Sequence, residues 1–136
     1  MQEVMLEREN LSVTRQNINA YLHDHDVQFV AEDAVFTQVD TGQEIHGREA
    51  VGQFLHYFYH IAFDAHAEFT NVFVTENNAV AEFNFIGKNI GEFAGMPATN
   101  KGVNVPTCVV YDIENGLIKK ARIYMPADVM MKQLAR

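Results

Sequence analysis

The sequence predicts an α+β domain in which N-terminal helices close a cone-shaped, strongly curved and mostly antiparallel sheet. Apolar residues follow helical spacing in the first half of the chain, and from about residue 66 they alternate with polar residues instead. The chain has 136 residues and is 48% hydrophobic, with ten Phe and five Tyr, so it can bury one aromatic-rich core. Helices followed by a run of strands are typical of this fold class. A bent sheet closed by helices also encloses a natural small-molecule pocket.

Helices are predicted at three places in the first half of the chain. The first spans about residues 12–22, where the apolar residues fall on one stripe. The segment HDHD at 23–26 ends it, and an aspartate of this segment can cap a second, short helix at 27–33. The third helix spans residues 47–63, with good helix formers at its start and an aromatic face further on.

Strands are predicted from alternation and from turn signals. A first strand lies at 34–39, before the turn DTGQ. Later, the segments ENN and ENG separate alternating runs and indicate hairpins. This pattern predicts a four-stranded antiparallel meander with strands at 66–75, 79–88, 103–113 and 117–125. An irregular connection at 87–102 and a short terminal helix at 127–134 complete the chain.

Charge and composition argue against several classes of partner. The formal net charge is −8 and no basic cluster exceeds KKAR, so neither nucleic acid nor an anionic membrane is an expected partner. No apolar run approaches the length of a membrane span, and the N-terminus MQEVMLEREN is charged throughout. These features predict a cytoplasmic protein. Cys108 stands alone, which leaves no disulfide framework and no cysteine-based zinc site.

Three segments carry a family resemblance. They are DVQFVAEDAVFTQVDTGQEIHGREAVGQFL at 26–55, GEFAGMPATNKGVNVP at 91–106 and RIYMPADVMMKQL at 122–134. In these segments the chain resembles the SnoaL-like polyketide cyclase family of the nuclear transport factor two-like superfamily. The resemblance implies a single SnoaL-like domain over 1–136, with 1–11 as an N-terminal extension. It also implies the cystatin-like roll form of the α+β cone and a homodimer paired through the outer sheet face.

The resemblance implies a reaction as well. SnoaL-like cyclases close a ring by an intramolecular aldol step without metal or cofactor, with one aspartate in an apolar cavity acting as acid and base. Counting from Tyr124, or back from Gln133, places Pro126 at the position of that aspartate. Asp128 lies two residues later, as a candidate acid or as a cap of the last helix. The related ketosteroid isomerases carry a catalytic aspartate on the first strand, where this chain has Gln38.

Histidine is the remaining candidate base. His46 follows the first strand near the expected mouth of the pocket, and His66 opens the second strand. Of the two, His46 is favoured. His23 and His25 lie in the break between helices and are predicted to be solvated. The catalytic candidates are therefore His46 and Asp128.

One histidine pair has the spacing of a metal site. His56 and His60 are four residues apart and could share a metal ion on one helix face. No third ligand lies at a recognisable spacing, so the sequence predicts neither a metal nor another cofactor.

The pocket is predicted to be mainly aromatic, with a few polar groups. The candidate lining residues are Tyr21, Phe36, Gln38, Phe54, Tyr57, Phe58, Phe83, Phe85, Arg122 and Tyr124. Arg122 and Tyr124 alternate onto one face of the last strand, where they could bind a carboxylate or keto oxygen. The alternative places Arg122 on the outer face in a salt bridge and only Tyr124 inside. The expected ligand is a small apolar or aromatic keto compound.

Whether the protein is an enzyme is left open, with three functions to compare. The first is cofactor-independent cyclase or isomerase chemistry on a polyketide-like keto compound. The second is a non-catalytic ligand- or partner-binding module that has lost the family's aspartate. The third is a hydratase or dehydratase reaction on the same scaffold. An inward Asp or His beside an enclosed cavity would favour an enzyme, and a cavity plugged by Phe and Met would favour the binding module.

Overall fold

The computed structural model describes residues 2–135, with side chains from residue 6 onward. Its helices and strands are α1 Gln2–Asp24, β1 Val30–Gln38, β2 Gln43–His46, α2 Arg48–His56, β3 Phe63–Val74, β4 Asn78–Asn89, β5 Gly102–Glu114, β6 Leu117–Tyr124 and α3 Ala127–Ala135. A 3-10 turn, Val27–Phe29, leads into β1, and a π-helical turn, Tyr57–Ala62, joins α2 to β3. Within the described residues, no helix combines the length and apolar character needed to cross a membrane.

The strands form one six-stranded sheet in the order β2-β1-β6-β5-β4-β3. Neighbouring strands are antiparallel except β1 and β6, which run parallel with Phe36 opposite Ala121. Register shifts next to Phe69 in β3 and Asp112 in β5 bend the sheet locally. The predicted α+β class with a curved, mostly antiparallel sheet is confirmed. β2 is an addition to the predicted strands, because its four residues bury only Ile45 and offer no alternating run to detect.

The first helix is longer than its apolar stripe indicates. α1 begins at Gln2 rather than near residue 12, so residues 2–11 of the predicted N-terminal extension are helical. The Glu and Arg residues of this stretch are good helix formers, although the side chains of residues 6–10 are exposed. Met1 lies outside the described residues.

The predicted second helix at 27–33 is wrong. Asp26 does cap a turn at this place, since its carboxylate accepts the backbone N–H of Gln28 at 3.0 Å. The turn lasts only three residues, and Val30 then begins β1. An extended chain is favoured here because it buries Val30 and Phe36 completely beside β6, which a short helix could not do.

The predicted third helix at 47–63 divides into α2 and the π-helical turn. The hydrogen bonds of this π-helical segment span five residues, against four in an α-helix, so the segment changes which side chains point inward. Phe58, Tyr59 and Ala62 are all buried as a result. Turns of this kind are rare and often mark functional sites.

The core fills the concave side of the sheet. Every second residue is buried over Ala79–Phe85 in β4 and over Val103–Ile113 in β5. From the other side, α1 contributes Ile18 and Tyr21, and α3 contributes Met130. The period-two pattern of the sequence thus defines the inner face of the meander.

A buried asparagine fixes the long connection between β4 and β5. The side-chain amide of Asn89 donates to the carbonyl oxygens of Ala62 and Gly91, both at 2.9 Å. Its oxygen accepts the backbone N–H of Thr99 at 2.7 Å and the Thr99 hydroxyl at 2.9 Å. Asn89 is only 1% exposed, so the connection at 90–101 is anchored from within the protein.

Candidate functional site

A cavity of about 610 Å³ lies between the concave face of the sheet and the helices. Its wall is mainly aromatic and aliphatic, which is the character of a small-molecule site. The apolar part of the wall is formed by side chains of the sheet, of α2, of the π-helical turn and of α3, including Phe36, Phe54, Phe58, Phe83, Ile123 and Met130. Polar side chains are concentrated at the buried end of this cavity and at its exposed rim.

The buried end holds a tyrosine–histidine cluster, which consists of Tyr21, His25, Tyr59 and Tyr111. The ring of Tyr21 lies 5.3 Å from that of His25 and 5.9 Å from that of Tyr111, measured between centroids. The ring of His25 lies 4.7 Å from that of Tyr59. All four side chains line the cavity, and the three tyrosines are buried. The cluster therefore brings phenol hydroxyls and one imidazole into a mostly apolar space.

Burial keeps every member of the cluster uncharged near neutral pH. Desolvation raises the pKa of Tyr21, Tyr59 and Tyr111 well above the ordinary value of a phenol. Desolvation also lowers the pKa of His25 to about 4; the nearby Asp24 carboxylate opposes this shift, and His60 adds a smaller lowering. Every fully shielded side-chain polar atom of the described residues has a hydrogen-bond partner. The hydroxyls of the cluster make no such bond within the described residues, which leaves them able to bond a ligand in the cavity that their side chains line.

A left-handed backbone conformation turns His25 inward. α1 ends at Asp24, and His25 then has a φ of 55° while its N–H donates to the carbonyl of Tyr21 at 2.6 Å. This geometry closes the helix and directs the imidazole toward Tyr59. The expectation that both histidines of HDHD are solvated is therefore wrong for His25, although His23 is exposed.

The rim of the cavity comes from separate segments. Gln38, Asp40 and Gln43 reach it from the β1–β2 turn, and Tyr57 from the π-helical turn. Phe93 reaches it from the connection between β4 and β5. The hydroxyl of Tyr57 donates to the carbonyl oxygen of Glu92, which ties that connection to the π-helical turn.

The cap of α3 is Asp40 rather than Asp128. The Asp40 carboxylate accepts the backbone N–H of Ala127 at 2.8 Å, across 87 positions of sequence. The carbonyl of Pro126 accepts the N–H of Met130 at 3.2 Å, so Pro126 ends the loop at the start of the helix. Asp128 is exposed in the first turn and does not line the cavity. Its role there is limited to a favourable position at the positive end of the helix.

Replacing Asp40 by alanine is expected to lower the free energy of unfolding by about 1 kcal/mol, because the N–H of Ala127 loses its acceptor. Asp40→Asn should retain most of the stability, since an amide oxygen also accepts this bond. Asp128→Ala is the matched control and should cost only a few tenths of a kcal/mol, roughly the value of an exposed first-turn charge. Urea denaturation of the variants measures these differences. A larger loss for Asp128→Ala than for Asp40→Ala would contradict the assignment.

His46, the other catalytic candidate, lies away from the cavity. It is in β2 at the edge of the sheet, and its side chain is 67% exposed. Its Nε2 lies 3.2 Å from a carboxylate oxygen of Glu44. The pleat of β2 turns Ile45 inward and His46 outward, so alternation removes this histidine from the site.

The predicted lining residues divide into two groups. Those that do line the cavity are Tyr21, Phe36, Gln38, Phe54, Tyr57, Phe58 and Phe83. Phe85 belongs to the core behind the wall, where its ring lies 4.9 Å from that of Phe58 and 5.2 Å from that of Tyr59. It therefore supports the cavity without reaching it.

Arg122 and Tyr124 face the outside of the sheet. Arg122 forms a bidentate ion pair with Asp112, with N–O distances of 2.9 and 3.1 Å. Tyr124 is 43% exposed on the same face. The inner face of β6 instead presents Ala121 and Ile123. The expectation of an inward Arg122 is wrong. The alternative is confirmed for Arg122, which forms a salt bridge on the outer face, but it is wrong for Tyr124, which it placed inside.

His56 and His60 lie on the outside of the helical segment before β3. Both are exposed, and their ring centroids are 5.4 Å apart. Within the described residues, no group of three or more His, Cys, Asp or Glu side chains has an arrangement that could hold a metal ion.

The inward positions of the cluster residues differ in how well the sequence predicts them. Tyr111 alternates with Thr107 and Val109 on a predicted strand, so an inward position could have been read from the pattern. Tyr59 points inward because of the π-helical turn, and His25 because of one left-handed residue. No local sequence pattern predicts the π-helical turn or the left-handed conformation of His25.

Together, the fold and the cavity define a class of protein: α+β proteins of the nuclear transport factor two-like type, with an apolar cavity inside the cone. Within this class, the chain belongs to the SnoaL-like domain family, whose model matches residues 13–121. The resemblance noted in the sequence is thereby confirmed. No curated protein matches the sequence significantly.

Solved structures agree on the fold. A protein named as a SnoaL-like polyketide cyclase from Jannaschia sp. CCS1 is 15% identical and superposes with a TM-score of 0.81, covering 91% of this chain and 92% of its own. A polyketide cyclase homologue from Xanthomonas campestris pv. campestris is 20% identical, with a TM-score of 0.77 and coverage of 92% and 98%. A phenazine biosynthesis-related protein from Pseudomonas aeruginosa is 18% identical, with a TM-score of 0.78 and coverage of 97% and 91%. At these identities the similarity extends to the fold alone.

Proposed function

We propose that this protein binds a flat, mostly apolar keto compound and promotes metal-independent acid–base chemistry of the cyclase type, with His25 as the base. The observation that carries the proposal is the neutral imidazole of His25 among three protonated tyrosines in an apolar cavity. A neutral imidazole can accept a proton, and phenol hydroxyls can donate hydrogen bonds to a developing enolate oxygen. Family membership supports the same class of reaction.

The proposed steps balance within the cavity. The His25 imidazole removes a proton from a carbon between two carbonyl groups, and the electron pair of the C–H bond passes into an enolate. The enolate oxygen accepts hydrogen bonds from the tyrosines of the cluster. The enolate carbon then attacks a second carbonyl carbon of the same molecule, forming the C–C bond of a ring. The resulting alkoxide takes the proton back from the imidazolium, which returns His25 to its neutral form.

The low pKa of His25 limits the substrates that it can activate. A base with a pKa of about 4 is comparable in strength to a carboxylate, so it suits only carbon acids that are already activated by two carbonyl groups. Proximity and the tyrosine donors must supply the rest of the rate enhancement. The proposal therefore favours 1,3-dicarbonyl compounds over simple ketones.

A non-catalytic binding module is the second candidate. Counting along the chain puts Pro126 where the family has its aspartate, and Asp40, the only carboxylate among the described residues that line the cavity, is engaged with Ala127. Met125, Met130 and Met131 line the wall, and methionine suits adaptable binding of apolar ligands. In this second function the protein would bind the same kind of ligand without converting it.

An assay of ring closure on linear aryl β-keto esters separates the two candidates. The wild type is expected to cyclise at least one ester, and His25→Asn should lower kcat/KM about 100-fold, the usual contribution of a general base. His46→Asn is the matched control and should have no effect, because His46 is exposed and away from the cavity. Equal losses in both variants would overturn the role of His25. Binding of the esters without turnover by the wild type would establish the binding module instead.

The homodimer also remains a proposal. The outer face of the sheet carries half-buried apolar residues, among them Val80 and Val110 beside the Arg122–Asp112 pair and Ile86 further along β4. Pairing of two copies through this face would leave both cavities unobstructed, because each cavity lies on the opposite, concave side of its sheet.

A further inference from the structure

We infer that the cavity selects uncharged ligands that enter with a carbonyl oxygen first, and that it discriminates against carboxylates of the same size. This inference rests on the proposed function and adds the charge and the orientation of the ligand to it. It depends on the distribution of polar groups along the cavity.

The described residues place no cationic side chain on the cavity wall. No lysine or arginine among them lines it, and Asp40 at the rim is its only carboxylate. A carboxylate moved into this space would lose its hydration, and hydrogen bonds from the tyrosines would offset that loss only in part because no counter-ion is present. The net charge of −8 on the whole chain adds a further, longer-range repulsion.

The buried end of the cavity donates hydrogen bonds. Tyr21, Tyr59 and Tyr111 remain protonated, since burial raises the pKa of each, and all three side chains line the cavity. A carbonyl oxygen accepts such bonds and carries little desolvation cost. The hydroxyl of Thr107 donates to the carbonyl of Val105 at 3.1 Å, so it offers only lone pairs to a ligand. The tyrosines are therefore the groups that recognise a ligand oxygen at this end.

The rim has the opposite preference. Asp40 brings a carboxylate to it, and Gln38 and Gln43 bring amides that both donate and accept. Hydroxyl or amino substituents of a ligand can donate to these groups and remain in contact with water. A ligand with a carbonyl at one end and hydroxyl groups at the other is thus held in one orientation, with the carbonyl near His25.

Three naphthalene probes of nearly equal size test the inference. They are 2-acetylnaphthalene, 2-ethylnaphthalene and 2-naphthoate, with affinities measured by titration calorimetry near pH 7. The ketone should bind about tenfold more tightly than the hydrocarbon, the value of a net hydrogen bond. The carboxylate should bind at least ~100-fold more weakly than the ketone, because its charge is not compensated. Carboxylate binding as tight as that of the ketone would overturn the charge selection and leave the proposed function intact.

A tyrosine variant tests the orientation. Tyr111→Phe should abolish the tenfold preference for the ketone over the hydrocarbon and leave hydrocarbon binding unchanged. Tyr124→Phe is the matched control, since Tyr124 lies on the outer face of the sheet, and its preference should equal that of the wild type. An unchanged preference in both Tyr111→Phe and Tyr59→Phe would overturn the orientation. Failure of all three probes to bind the wild type would overturn this inference together with the proposed ligand site.

Discussion

Between pH 6.5 and about 4 the protein is expected to lose stability, and replacing His25 by asparagine should make this loss much smaller. The folded protein holds the pKa of His25 at about 4, against 6.5 for a free imidazole, because burial disfavours the charged ring. In that window the unfolded chain binds more protons than the folded one, so the free energy of unfolding falls as the pH falls. The contribution is fully present above pH 6.5 and amounts to roughly 3 kcal/mol.

Asparagine suits this position because it tolerates the left-handed backbone conformation of His25. The loss of contacts with Tyr21 and Tyr59 should lower stability at neutral pH, but the dependence on pH should flatten. Urea denaturation at several pH values from about 7 to about 4 measures the slope, with the window set by the shifted pKa. His23→Asn is the control, since His23 is exposed two positions away. Parallel curves for wild type and His25→Asn would show that His25 is not buried as a neutral ring.

Replacing Asn89 by alanine is expected to lower the free energy of unfolding by about 4 kcal/mol. The carbonyl of Gly91 and the N–H of Thr99 would lose the Asn89 side chain as a partner in a buried site, while the carbonyl of Ala62 would keep only the backbone N–H groups of Ile90 and Gly91. Each buried polar group without a partner costs about 1–3 kcal/mol. Asn89→Asp should be nearly as damaging near neutral pH, because a carboxylate cannot donate to the two carbonyl oxygens, and lowering the pH should partly restore it as the acid gains a donor proton.

Denaturation of the two Asn89 variants is compared with Asn84→Ala, which removes a half-exposed asparagine from the outer face of the same strand. Hydrogen exchange of the Thr99 amide measures the local effect, since Thr99 donates to Asn89. Faster exchange there would also loosen the segment that carries Phe93 to the rim of the cavity. A cost for Asn89→Ala no larger than that for Asn84→Ala would contradict the anchoring role.

The strands of the meander could be predicted closely because their signal is local. The predicted strand at 79–88 corresponds to Asn78–Asn89, and that at 117–125 to Leu117–Tyr124. Their inward and outward residues follow from alternation alone. β2 and the segment at 27–33 were harder to predict from the sequence. β2 has four residues and the 3-10 turn has three, which are too few positions to show a period.

The candidate site was predictable in its apolar part and unpredictable in its polar part. Phe36, Phe54 and Phe83 line the cavity because aromatic residues on inward faces of a cone meet at its centre. His46 and Asp128 were selected by their place in the chain, yet both are exposed. Titratable groups occur on either face of an element, so their function depends on orientation rather than on residue type.

Two things follow from the sequence by itself: the family, and the alternation that makes Val103–Ile113 the inner wall of a cone. Only the tertiary structure decided which polar side chains face the inside of that cone. The cap of α3 comes from Asp40, 87 positions from its partner Ala127, and the imidazole in the cavity comes from His25 through a single backbone angle. Periodicity records the environment of neighbouring residues, whereas contacts between distant segments form only when the whole chain closes on itself. The family match over residues 13–121 follows from the sequence, whereas the chemistry proposed for the end of α1 depends on contacts that only the folded chain makes.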